Sequence, residues 1–186
     1  MPTGGDRSWR TVAPGDFNVA AMCDAMDARR NELGLSWPRL ASAMWAQSAV
    51  LNHQRQDHPL SPATLSGMAV RGDCTCQHAL FVLRWLERSP ESFVPDAPRD
   101  SARFALPRAG LDQRLRWDLD ALYEALDAQR REREHTWSDL ARELHCGPSQ
   151  LSGIQRARYA IGMRLAMRIV RWLERPAAEF IDAARW

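Results

Sequence analysis

Arg84-Trp85-Leu86-Glu87-Arg88 returns letter for letter as Arg171-Trp172-Leu173-Glu174-Arg175, and this repeated pentapeptide decides how the chain is read. Working outward in both directions, the match continues. Leu65-Ser66-Gly67-Met68 recurs as Leu151-Ser152-Gly153-Ile154, and Trp37, Leu40, Ala41 and Met44 recur as Trp137, Leu140, Ala141 and Leu144. Further upstream, Ala25-Met26-Asp27-Ala28 returns as Ala125-Leu126-Asp127-Ala128. The blocks keep their order, so one small unit has been duplicated. Each copy is about 75 residues long, enough to fold around its own core and small for an enzyme. The predicted organisation is a flexible leader (1–15), a first unit (16–94), a Pro-rich linker (95–110) and a second unit (111–186).

Apolar residues at helical spacing run through both units and no strand is predicted, so the expected class is all-α, with five helices per copy. In the second copy Trp117, Leu119, Leu122, Tyr123 and Leu126 place one amphipathic helix over 111–133. A second helix follows over 137–145, with Thr136 as N-cap and Asp139 in capping-box position. Gly147 and Pro148 break it, and Pro148 opens a third helix to Gln155, in a first turn that tolerates a missing amide proton. A fourth helix is expected over 163–174, and a last short one from Pro176 to Phe180 and Ile181. In the first copy, twenty residues separate Met44 from Leu65, where six separate Leu144 from Leu151. The fourteen extra residues continue the apolar face through Ser48 and Leu51, which predicts a second helix about two turns longer than its twin, then a polar loop at 53–59.

A short helix carrying Leu-Ala, a tight turn and a second short helix with one central aliphatic residue form a helix-turn-helix pattern. Ala141 must be small where the two helices cross, while Leu140, Leu144, Leu151 and Ile154 pin the second helix from behind. On these residues the second copy resembles the phage repressor/Cro-like (XRE) family, over nearly all of 111–181. The resemblance implies two tandem lambda-repressor-like five-helix domains that bind double-stranded DNA, in transcriptional control, without enzymatic activity or cofactor. It departs at the turn, where His145 replaces the usual glycine, and after Ile154, where Gln155 stands in place of a frequent glutamate.

Carried over by position, the base-reading surface falls on Pro148, Ser149, Ser152 and Gly153, with Gln150 beside them. Gln150 suits an adenine edge. Thr136 and Ser138 would offer backbone amides to one phosphate, and Arg156 and Arg158 would clamp others. The matching surface of the first copy is Ala63, Thr64 and Ser66 with Pro62 and Gly67, followed by Arg71. It is smaller and less charged, and reads either as a modified DNA contact or as a surface turned toward a protein partner.

Charge supports that ranking. The chain has no lysine, and its net charge is only +2. From Gly147 to Arg175 six arginines stand against Glu174 alone, whereas Pro62 to Arg88 holds three arginines against Asp73 and Glu87. The second copy should therefore carry most of any contact with a polyanion. Arg164, Arg168, Arg171 and Arg175 read equally well as the solvated face of their helix. Linked copies raise the effective concentration of the second reader and could serve an asymmetric site or a direct repeat. Further homodimerisation is compatible with the sequence. An alternative reading is a protein-interaction module, such as an antitoxin or scaffold component.

Other chemistry finds little footing. The paired aromatics Trp37/Trp137, Trp85/Trp172 and Phe93/Phe180 read as core, and Trp45 has no twin. Cys74, Cys76 and His78 lack the spacing of a structural zinc site, so no metal is expected, and the four cysteines read as reduced thiols. Asp27 and Asp127 read as partners in helix salt bridges. No nucleophile with its base and no glycine-rich phosphate loop is present. No apolar run is long enough to span a bilayer and no signal-peptide pattern opens the chain, so no membrane partner is expected and the expected location is the cytoplasm.

Overall fold

The computed structural model of the chain describes residues 15–55, 58–95, 97, 104–154 and 161–185. These residues are mostly helical, with one small two-stranded sheet. The first half contributes α1 (Val19–Glu32), α2 (Trp37–Ala46), α3 (Ala49–Arg55), α4 (Pro62–Arg71) and α5 (Cys76–Leu86), then a 3-10 turn, Pro90–Phe93. The second contributes β1 (Arg114–Trp117), α6 (Leu119–Glu132), α7 (Trp137–Glu143), α8 (Pro148–Ser152), α9 (Met163–Trp172), a 3-10 turn at Ala177–Phe180 and β2 (Ile181–Ala184). No described helix is long and apolar enough to cross a membrane.

Local chemistry explains most helix starts. Asn18, Ser36, Ser61, Thr75, Asp118 and Thr136 each cap a helix by accepting a hydrogen bond from a backbone N–H three residues on. The repeat is visible as repeated bonds. Asn18 N–H donates to the Phe93 carbonyl at 2.8 Å, and Asp118 N–H to the Phe180 carbonyl at 2.8 Å, tying the start of each half to its end. Arg30 binds Asp27 and the Leu35 carbonyl while lying over Trp37, and Arg130 does the same with Asp127, His135 and Trp137. The two aspartates thus sit in the helix salt bridges expected of them. Trp85, Phe93 and Phe180 are buried in the core, but Trp37, Trp137 and Trp172 lie half-buried at its edge, Trp37 and Trp137 roofed by their arginines.

Three elements differ from the sequence reading. Residues 114–117 are a strand, not the first turn of a helix. β1 pairs antiparallel with β2, Arg114 opposite Ala184 and Trp117 opposite Ile181, and all four of its side chains are buried, a pattern no amphipathic helix gives. The helix starts only after Asp118, whose side chain caps Ala121 N–H. The expected closing helix is likewise a single 3-10 turn running into β2.

The second helix of the first half is not simply longer either. It stops at Ala46, and α3 is a separate helix. The break is held from outside: Arg84 donates to the Gln47 carbonyl at 2.7 Å and to Ser48 Oγ, Ser48 Oγ donates to the Gln113 carbonyl, and Val50 and Leu51 donate backbone N–H to the Leu111 carbonyl. The same arginine reaches the Ala109 and Gly110 carbonyls, so the segment before β1 is fastened to the first half. Trp45 lies beneath Arg114 and against Phe81.

One continuous apolar cluster runs through both halves. At their junction Cys76 N–H donates to the Ile161 carbonyl at 3.0 Å, and Met163 N–H to the Cys74 carbonyl at 2.9 Å, around an antiparallel bridge between Thr75 and Gly162. In the register of the repeated pentapeptide, Cys74, Thr75 and Cys76 correspond to Ile161, Gly162 and Met163. Each bond is therefore the image of the other, the mark of a pseudo-two-fold axis. Off the axis, Arg168 grips Asp16 through two 2.6 Å bonds, Glu91 accepts Ala177 N–H at 2.7 Å, and Arg116 donates to Gln77 Oε1.

Candidate nucleic-acid interface

α7, a tight turn and α8 form the helical pair expected of the second half. Leu140, Ala141, Leu144, Leu151 and Ile154 are all buried, so the row predicted to pin α8 does face inward. The turn passes through His145 at φ 50°, a left-handed conformation that costs histidine less than a branched residue. Arg168 reinforces it by donating to the Leu144 and His145 carbonyls, groups the end of α7 would otherwise leave open.

The outer row stands clear. Pro148, Ser149, Gln150 and Ser152 are exposed, and Gly153 is half-buried at the end of α8. A Cβ at Gly153 would lie 2.9 Å from the Ser149 carbonyl oxygen, so this position has no room for a side chain in the present backbone. Gln150 turns back and accepts Gly147 N–H on Oε1 at 2.8 Å, capping α8; its Nε2 is the part left to face outward. Arg156, Arg158 and Gln155 lie outside the described residues.

At the start of α7 the site differs from expectation. Thr136 closes a full capping box: its Oγ1 accepts Asp139 N–H, and its own N–H donates to Asp139 Oδ2 at 3.1 Å. That amide is consumed and cannot also serve a phosphate. The Thr136 hydroxyl also donates to Asp139 Oδ2, and with the backbone N–H it holds the Asp139 carboxyl below its ordinary range, so a negative charge sits at this helix start. Ser138 remains exposed on the first turn.

In the first half, α4 presents Ala63 and Ser66 to solvent, while Thr64 is half-buried and bonded to Ser61 through both N–H and Oγ1. Arg71 is exposed and folds back across Gly67, where a Cβ would lie 2.6 Å from its Nη1. Val70, 80% exposed, completes a face of Ala63, Ser66, Gly67 and Val70 at helical spacing that is small and apolar.

Between α4 and α8 lies a cleft of about 750 Å³ that the sequence did not announce. Arg71 enters from the first half, and Ser149, Gln150 and Gly153 from α8; the Thr75–Gly162 junction forms part of the lining, with Arg164 and Arg168 of α9 beside it. The only advance signal was the arginine-rich face of α9, which does not tell a cleft from open solvent. Structure separates those arginines: Arg168 is paired with Asp16, Arg175 with Glu179, Arg171 is exposed, and Arg164 is half-buried in the cleft.

The thiols are not poised for chemistry. Burial pushes Cys23 and Cys74 up to about 12 and raises Cys76 and Cys146 as well. Among the described residues no group of three or more His, Cys, Asp or Glu is gathered as a metal site would need. No family model matches the chain, and neither the curated proteins nor the solved structures yield a match.

Proposed function

We propose that the chain is a non-enzymatic protein that binds double-stranded DNA with sequence selectivity, in transcriptional control, through two divergent lambda-repressor-like units on one polypeptide. The observation that carries this reading is the α7–α8 pair: five apolar residues buried behind it and Pro148, Ser149, Gln150 and Ser152 exposed in front. The second unit is the stronger reader, because its surroundings hold the excess of arginine.

The reciprocal junction at Thr75 and Gly162 bears on the target. Units related by a pseudo-dyad run in opposite senses, as the two strands of a duplex do, which favours inverted half-sites over a direct repeat. Because α4 and α8 carry different residues, those half-sites should be unlike. Selection of duplexes from a random pool tests this. The full chain should enrich two different inverted half-sites, and Ser66→Asp should erase one of them. Affinity should fall steeply with salt, and Arg156→Ala with Arg158→Ala should flatten that slope by about one unit per lost phosphate contact. Weak binding to every duplex, indifferent to these changes, would refute the reading.

A second reading rests on Val70. An exposed apolar face on α4 suits a protein partner better than a base edge, as in an antitoxin or scaffold component. Val70→Glu would then abolish partner capture while leaving duplex binding by the second unit intact.

A further inference from the structure

We infer that the cleft on the pseudo-two-fold axis is a phosphate site, with Arg164 as its inner cation and Arg71 as its outer one. Arg164 is half-buried, and its Nε is wholly buried with no hydrogen-bond partner. That N–H is closed off from the cleft, so a ligand oxygen would meet the terminal Nη groups of the same guanidinium, whose charge the cleft leaves to be answered. Neither Arg164 nor Arg71 is paired with a carboxylate among the described residues, in contrast to Arg168, whose charge is met by Asp16. Asp73 is the one acid in the lining, and its Oδ1 is occupied by Cys74 N–H at 2.8 Å.

The remaining groups suit an oxyanion. Gln150 spends its acceptor on Gly147 N–H, which leaves its amide N–H₂ available, and Ser149 contributes an exposed hydroxyl. Donors thus come from α8 on one side and from α4 and α9 on the other. Arginine forks match phosphate geometry in pairs of bonds. At about 750 Å³ the cleft has room for a phosphorylated molecule of nucleotide size, or for a stretch of nucleic-acid backbone. Either source presents the same chemistry. A phosphate held here touches both candidate reading helices at their junction, so it would fix the angle between them.

Titrating the full chain with pyrophosphate in chloride buffer at constant ionic strength, followed by calorimetry, tests the site without DNA. Saturable binding that weakens about tenfold in both Arg164→Gln and Arg71→Gln would establish a free phosphorylated ligand. If pyrophosphate does not bind but each variant lowers the salt slope of duplex binding by about one unit, the phosphate belongs to the DNA backbone, an arm that rests on the function proposed above. If neither measurement moves, the inference is overturned. Should Arg164→Gln unfold the protein, Arg71→Gln, at an exposed position, decides between these outcomes. Duplex binding that fails altogether while pyrophosphate still binds would reject the DNA reading and keep the site.

Discussion

Thr75 and Gly162 face one another across an antiparallel bridge; each is the N-cap of its own helix, and each is the other's counterpart in the repeat. Their neighbours exchange two backbone bonds, so the halves are joined by main chain as well as by side chains. Cys76 occupies the first position of α5, where proline is tolerated by the helix itself. Cys76→Pro therefore removes the bond to Ile161 with the helix intact, and Cys76→Ala serves as the control for the lost thiol. The proline variant should be less stable than the alanine variant by about 1 kcal/mol or more, measured by urea unfolding. Equal stabilities would mean the bridge contributes nothing.

Glu91 is a buried carboxylate that accepts Ala177 N–H on Oε1, while its Oε2 has no partner. Burial raises its pKa, so between the unfolded and folded values the native state holds the extra proton and stability falls as pH rises. Glu91→Gln keeps an acceptor for Ala177 and carries no charge. The variant should gain on the parent protein as pH climbs from 4 toward 8, read from urea midpoints at each pH. A constant offset would show that the carboxylate costs nothing when ionised.

Asp16 has the opposite sign. The bonds from Arg168 hold its pKa below the ordinary value, so the pair's contribution is complete above the unfolded pKa and disappears as pH falls through the folded one. Asp16→Asn should cost about 2 kcal/mol at neutral pH and flatten the acid side of the stability profile. Since Arg168 also holds the Leu144 and His145 carbonyls, the same variant should loosen the α7–α8 turn. Faster amide exchange at Cys146, whose N–H bonds the Ala141 carbonyl, reports that directly.

The sequence was most legible where cause is local. The cap at Thr136, the inward row from Leu140 to Ile154 and the paired Arg30 and Arg130 bridges all follow from residues a few positions apart. Arg84 and Arg171 mark where that stops. They sit in identical pentapeptides, yet Arg84 gathers carbonyls from Gln47, Ala109, Gly110 and Gln113, whereas Arg171 is exposed beside Gly15. Nothing inside the pentapeptide distinguishes them. Strand β1 was missed for a related reason: Arg114 and Arg116 read as the polar face of a helix, and only Ala184, Asn52 and Gln77, all remote in sequence, show why they are buried. Of the candidate interface, the exposed row on α8 was readable, and the cleft was not, because it exists only where the two halves meet.

Gln150 links stability to recognition, and its two roles can be separated. Its Oε1 caps α8 through Gly147 N–H, while its Nε2 is left as a donor on a residue that is exposed and lines the cleft. Glutamate at this position retains an acceptor for the cap and suits a helix N-terminus, so Gln150→Glu should fold as stably as the parent. Alanine loses the acceptor, and Gln150→Ala should cost about 1 kcal/mol. Duplex binding should respond in a different order. The glutamate variant loses the donor and adds a negative charge toward phosphate, so its affinity should drop about tenfold or more, further than that of the alanine variant. Melting curves and duplex titrations at one salt concentration give both rankings. If affinity instead follows stability, with alanine the weaker binder, Gln150 acts as a cap alone and the reading surface must lie elsewhere on α8.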